Sequence, residues 1–237
     1  MTTTHSPEYV RKVMAGDLTK DELRNVGFPW SEDNVKRSTS SVGGTIAAAV
    51  HVCEVSKKLD KNMTNYYFAP WAAHVAGGTH HAFHDYGEGF CVFSDIAVAA
   101  NVVLQRYPEI QKILILDLDV HQGNGNAVLF QNKPEVFTFS LHCSANYFSQ
   151  KQHSDLDVEL PPDCTDQTYL MTLNHWLNRI KRESGSYDLI FFQAGVDILE
   201  NDRLGRMSIS QQGVQQRNKL VYDFARELNV PMVVTSK

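Results

Sequence analysis

The stretch ILILDLDVHQGNG, residues 113–125, decides the fold. Its first half is a short unbroken run of branched apolar residues, which reads as a strand buried on both faces. Its second half sets Asp117, Asp119 and His121 at every other position where that run ends. Side chains alternate across a strand, so the three are expected on one side. A buried carboxylate is costly unless it is paired or bound to a cation. Two carboxylates and an imidazole converging on one spot are therefore best explained by a metal.

Working outward, residues 136–141, 189–193 and 230–235 are apolar runs of the same kind, and a weaker run over 66–75 mixes strand and loop. Helical periodicity covers 32–56 after Ser31, with Gly43 and Gly44 expected to interrupt it. It returns over 96–106 after Ser94 and Asp95, 167–183 after Asp166, and 211–228 after Ser210. Strands alternating with helices predict a three-layer α/β/α domain with a mainly parallel sheet. No repeat, low-complexity tract or Gly/Ser linker divides the chain, so 1–237 reads as a single domain. Ligands of such sheets bind beyond the carboxyl ends of the strands.

That rule places a third ligand at the end of a neighbouring strand, and FFQAGVD, residues 191–197, supplies Asp197. Two oxygens and one nitrogen leave a position open for water, the pattern of a catalytic site. On the residues alone another reading stays open, in which Asp119 and Asp197 cap loops and His121 is a satisfied core histidine. Asp117, one pleat deeper, could bind a second cation, orient a histidine or cap backbone amides. Upstream, GGTHHAFHDYGEGFC, residues 77–91, sets His80 beside His81 after two glycines. Adjacent histidines suit acid–base work, since each can be tuned by its own partner. A histidine-rich surface loop, with His74 and His84 nearby, would look the same.

The composition, 43% apolar and 21% charged over 237 residues, is ordinary for a globular chain. A formal charge of -5 argues against general nucleic-acid binding. If chromatin is involved, a basic histone tail is a better partner than DNA. Cys53, Cys91, Cys143 and Cys164 form no C-x-x-C pair, so neither a structural zinc site nor a disulfide framework is suggested. An intracellular setting, cytoplasmic or nuclear, is expected. The segment MTTTHSPEYVRKV is too polar for a signal peptide, and no apolar run approaches a membrane span.

Read together, GGTHHAFHDYGEGFCVFSDIAVA (77–99), ILDLDVHQGNG (115–125) and AGVDILENDRLG (194–205) resemble the histone deacetylase family, with its arginase/deacetylase-like fold. Gln122, Asn124 and DILENDRLG most resemble its class IV branch. The resemblance runs from about His5 to the last residue. It implies a catalytic Zn2+ held by Asp119, His121 and Asp197. It makes His80 and His81 the tandem catalytic histidines, with His81 as general base and Asp117 orienting His80. Asp117, Asp119, His121, Ser140 and the main chain of Leu141 match the family's structural K+ site. Gly89 and Phe90 match one wall of the tunnel that admits the substrate, and Tyr147 or Phe148 is a candidate for the facing wall. Asn124 departs from the usual aspartate beside the second histidine. A neutral amide still orients the ring but stabilises an imidazolium less.

The implied reaction is hydrolysis of acyl-lysine, acetyl or longer, in a protein substrate such as a histone tail. An acetylpolyamine-type small amide would use the same metal site. Arginase-like chemistry at a metal pair wants an acidic residue where Gly123 stands. The family's Gly-Gly-Tyr loop, which donates a hydrogen bond to the oxyanion, should follow VPMVVTS at 230–236. The family's first strand and its last strand and helix also fall outside 1–237. The expectation is therefore a domain incomplete at both termini, with little or no deacylase turnover from 1–237 alone. Losing one oxyanion donor costs about a hundred- to thousandfold. A binding module without turnover is the remaining alternative.

Overall fold

Every residue of β2 (Ile113–Asp117) and β5 (Leu189–Gln193) is buried, as their unbroken apolar runs predict. In the computed structural model, residues 1–59, 69–146, 150–183 and 185–236 are described. The other strands among them are β1 (Trp71–His74), β3 (Val136–Cys143), β4 (Leu156–Leu160) and β6 (Met232–Thr235). All six pair in parallel, in the order β1-β6-β5-β2-β3-β4.

Alternation along each strand feeds two separate cores. Ile113, Ile115, Leu189, Phe191 and Val233 face α3 (Glu32–Lys58), α4 (Asp95–Arg106) and Phe130 of α5 (Asn124–Phe130). Leu114, Leu116, Ile190, Phe192 and Met232 face α6 (Asp166–Glu183) and α7 (Gln211–Leu228). The α/β/α layering expected from the sequence is thus present. A third cluster joins α1 (Pro7–Ala15) and Val26 of α2 (Lys20–Val26) to Val92, Phe93 and Val98.

Several details differ from the expectations. Helix α3 runs through Gly43 and Gly44 without a break. A Cβ on Gly44 would lie 2.4 Å from the His74 ring, so this glycine serves close packing. Strand β6 begins at Met232, two residues later than expected, because Pro231 has no N–H to give the ladder. The expected run over 66–75 is a strand only at Trp71–His74, and its residues 66–68 lie outside the described ones. Strand β4, LDVEL, was not anticipated. It lies at the sheet edge and carries Asp157 and Glu159, charges that suit an edge and hide a strand from an apolar-run search.

Nor were α1 and α2 assigned, although both carry full end signals. Ser6 caps α1 with Pro7 in its first turn, and Thr19 and Glu22 form a capping box on α2.

His5 ties the start of the chain to the middle of the fold. Its Nδ1–H donates to the Phe83 carbonyl at 2.7 Å, and its Nε2 accepts the Ser94 N–H at 3.0 Å. The second of these bonds needs the neutral ring, since a protonated Nε2 could not accept. Burial pushes the His5 pKa down from 6.5 to about 4, although the bond to Phe83 works the other way. Above pH 6.5 neither the folded nor the unfolded chain protonates this ring, and its contribution to stability is complete. As the pH falls toward 4, the unfolded chain takes up a proton that the folded one refuses, and up to about 3 kcal/mol is lost. His5→Gln should flatten that part of the stability profile in urea titrations at several pH values. An unchanged slope would show that other groups set it.

Candidate metal centre and active site

From β2 the chain moves to β3 and β4 on one side, then jumps to β5 on the other side of β2. That reversal opens a crevice beyond the carboxyl ends of β2 and β5, where open parallel sheets bind their ligands. Asp119 and His121 follow β2, and Asp197 follows β5. Donor atoms of all three lie within 4.8 Å of one another.

The strand itself ends at Asp117, so simple alternation does not carry Asp119 and His121 to the same place. Two successive turns do. Asp117 Oδ1 accepts the Asp119 N–H at 3.2 Å, and Asp119 Oδ1 accepts the His121 N–H at 2.9 Å. Short acidic side chains favour such bonds to the backbone two residues on. Asp197 is held from across the crevice, its Oδ1 accepting the Val120 N–H at 3.0 Å.

His121 Nδ1 stands 3.0 Å from Asp119 Oδ1 and 2.9 Å from Asp197 Oδ2. Burial disfavours a charged ring, yet hydrogen bonds and attraction to the two carboxylates carry His121 up to about 10. Burial and the charge of Asp119 raise Asp197 to about 6. Burial opposes ionisation of Asp119 as well, but His80 and His121 hold it well below the usual carboxylate range. The pocket therefore draws in positive charge, and an O,O,N donor set at this spacing suits a divalent cation such as zinc. Gly195 makes room for the set, since a Cβ there would lie 2.2 Å from Asp119 Oδ2.

The histidine pair is buried beside these groups rather than exposed on a loop. The two rings lie 3.9 Å apart at 35°. His80 Nδ1 is 2.7 Å from Asp117 Oδ2, and His81 Nδ1 is 2.7 Å from Asn124 Oδ1. Of the roles left open for Asp117, the structure shows two contacts, to His80 and to the Asp119 amide. Asn124 opens α5, a helix that the glycine-rich HQGNG did not suggest. Gly89 and Phe90 both adopt left-handed backbone, with φ of 54° and 64°. A Cβ on Gly89 would come within 2.8 Å of the His81 ring, so the loop wall closes on that histidine. Ser140 pairs in register with Asp117, and Leu141 is buried beside it in β3. Tyr147 and Phe148 lie outside the described residues.

Sequence reasoning missed three residues that hold this site. Asp95, buried in the first turn of α4, accepts the N–H groups of Gly78 at 2.9 Å and Thr79 at 2.7 Å. It also accepts the hydroxyls of Thr79 at 2.7 Å and Thr45 at 2.5 Å, anchoring the loop that carries both histidines. Gln193 donates to the Gly78 carbonyl at 3.1 Å and accepts from Thr235 at 2.8 Å. Arg217 is fully buried under the ligand loops. Its position on the apolar stripe of α7, in step with Gly213, Val221 and Phe224, was a usable sequence signal. We expect Asp95→Asn to cost about 2–3 kcal/mol, since an amide offers N–H to donors and forfeits charge-assisted bonds. Thermal unfolding measures this, and an unchanged midpoint would rule out the anchoring role.

An open parallel sheet covered by helices, with carboxylates and imidazoles gathered at its switch point, defines an α/β protein with a candidate metal centre. The Histone deacetylase domain profile matches residues 1–237, and the chain belongs to the histone deacetylase family. It is 44% identical over 217 residues to an uncharacterized protein of Picosynechococcus, covering 92% of this chain and 67% of that protein. It is 33% identical over 196 residues to Histone deacetylase 2 of Arabidopsis thaliana, covering 81% of this chain and 46% of that one. The crystal structure of a histone deacetylase homolog from Aquifex aeolicus superposes with a TM-score of 0.78 at 22% identity. That match covers 99% of this chain and 64% of that one. The chain therefore spans about half to two-thirds of these three relatives. No helix among the described residues is long and apolar enough to cross a membrane.

Proposed function

We propose that residues 1–237 are a catalytic domain that hydrolyses the amide bond of acyl-lysine in proteins such as histone tails. The observation that carries this reading is the Asp119, His121 and Asp197 donor set, within 4.8 Å, beside a buried histidine pair. These three residues would hold one zinc ion, which supplies Lewis acidity toward the amide carbonyl and the attacking water. His81, facing a neutral amide, accepts the proton of that water as general base. That proton then passes from the histidine pair to the departing lysine amine, with the Asp117 carboxylate beside His80 stabilising positive charge on the pair meanwhile. Gly89 and Phe90 would line the tunnel to this point. Asp117, Asp119, His121, Ser140 and the Leu141 main chain would form a structural potassium site. Gln122, Asn124 and DILENDRLG support the class IV branch, and an intracellular setting suits a basic-tail substrate.

The test combines metal analysis with hydrolysis of an acetyl-lysine peptide, a long-acyl-lysine peptide and an acetylpolyamine. One zinc per chain with lysine deacylation is the expected result. Faster release from the acetylpolyamine would move the substrate class. Two tightly bound ions per chain would favour arginase-like chemistry, and zinc binding without turnover would favour a binding module.

A further inference from the structure

Asn124 is buried between His81 and Glu88. Its Oδ1 lies 2.7 Å from His81 Nδ1, and its Nδ2–H donates to Glu88 Oε2 at 3.3 Å. An amide is two-ended, and the choice of end decides the chemistry of the histidine. Turned over, Asn124 would offer N–H to His81 Nδ1, which would then have to accept. The ring proton would move to Nε2, and the lone pair needed to take a proton from water would be lost. A carboxylate has only acceptors, so Glu88 disfavours the turned-over amide, whose carbonyl would face it. The Gly125 N–H, 2.9 Å from Asn124 Oδ1, favours the same orientation but also reaches the His80 carbonyl at 3.0 Å. It would therefore keep a partner if the amide turned.

Glu88 has the surroundings such a role needs. It is half-buried, burial raises its carboxyl pKa, and the Asn124 amide pulls it back down. Its backbone is held independently, with Glu88 N–H donating to Cys91 O at 3.1 Å and Cys91 N–H returning to Glu88 O at 2.8 Å. The next residue, Gly89, donates to Asn25 O at 3.2 Å. A substitution of the side chain thus leaves the loop anchored.

We propose that Glu88 is a positioning residue: its carboxylate fixes the Asn124 amide so that His81 carries its proton on Nδ1 and keeps Nε2 unprotonated. The catalytic part of this proposal rests on the deacylase reading, but the tautomer itself does not.

The experiment is nitrogen NMR of the histidine-labelled chain, with and without zinc, alongside steady-state kinetics on an acyl-lysine peptide. The wild type should show His81 protonated on Nδ1, whereas Glu88→Gln, whose own amide can turn to donate to Asn124, should show a tautomer mixture. Glu88→Met, which keeps volume and removes the acceptor, should show a tautomer mixture, and Glu88→Ala is the second variant should methionine perturb the loop. In kinetics, Glu88→Met should lower kcat about tenfold with KM unchanged, and Glu88→Gln should fall between it and the wild type. In an Asn124→Asp background, where no amide needs orienting, the loss should disappear. An undisturbed Nδ1 proton in Glu88→Met would overturn the proposal. Absence of turnover in the wild type would instead count against the deacylase reading, and the NMR result would still decide the role of Glu88.

Discussion

Replacing Arg217 with methionine is expected to destabilise the protein by about 3–5 kcal/mol, although no carboxylate lies within salt-bridge range of its guanidinium among the described residues. The guanidinium donates to the carbonyls of Leu118 at 3.3 Å, Gly195 at 2.5 Å and Ala194 at 3.2 Å, and lies over the Phe192 ring at 5.5 Å. Burial pulls its pKa down, so the charge has a real desolvation cost, which methionine would recover. The three carbonyls remain, however, and a buried acceptor stripped of its donor costs about 1–3 kcal/mol. The second effect wins. For a chain of this size the midpoint should fall by about 10 °C. Leu118 and Gly195 flank Asp119 and Asp197 in the crevice, so metal affinity should fall with stability. Lysine should not rescue the variant, because one ammonium cannot serve three carbonyls from the same rigid plane. A midpoint within about 2 °C of wild type would refute this account.

The second large effect separates metal binding from proton transfer. His81→Ala should lower kcat about a thousandfold while leaving zinc content unchanged, because His81 donates nothing to the metal set. Asp197→Asn should lose turnover and metal together, with zinc affinity falling at least about a hundredfold. The amide would also bring an N–H toward His121, 2.9 Å away, where the wild type has an anionic oxygen. Equilibrium dialysis against zinc, run beside the peptide assay, reads both quantities. Metal loss in His81→Ala, or full zinc retention in Asp197→Asn, would mean that the ligand set is wrongly drawn.

Parts of the fold were legible because burial on both faces leaves a mark in the sequence. Residues 189–193 were placed without error, and 113–117 to within one residue, since only buried parallel strands read as unbroken apolar runs. Strand β4 was not legible, because an edge strand keeps one side wet and so carries Asp157 and Glu159. Helix α5 hid behind Gly123, Asn124 and Gly125, residues that ordinarily signal a loop. Gly43 and Gly44 suggested a break that packing against His74 does not require.

The sequence by itself determined the α/β alternation, the polar residues at the strand ends and the family they resemble. These are local properties: periodicity, end signals and motif spacing act over a few neighbouring residues. Only the tertiary structure decided that β5 lies beside β2, which brings Asp197 to within 2.9 Å of His121. It likewise decided that Asp95, Arg217 and Glu88 brace the site from α4, α7 and the loop after β1. Strand neighbours and buried partners are chosen by long-range packing, and no single stretch of chain carries that information.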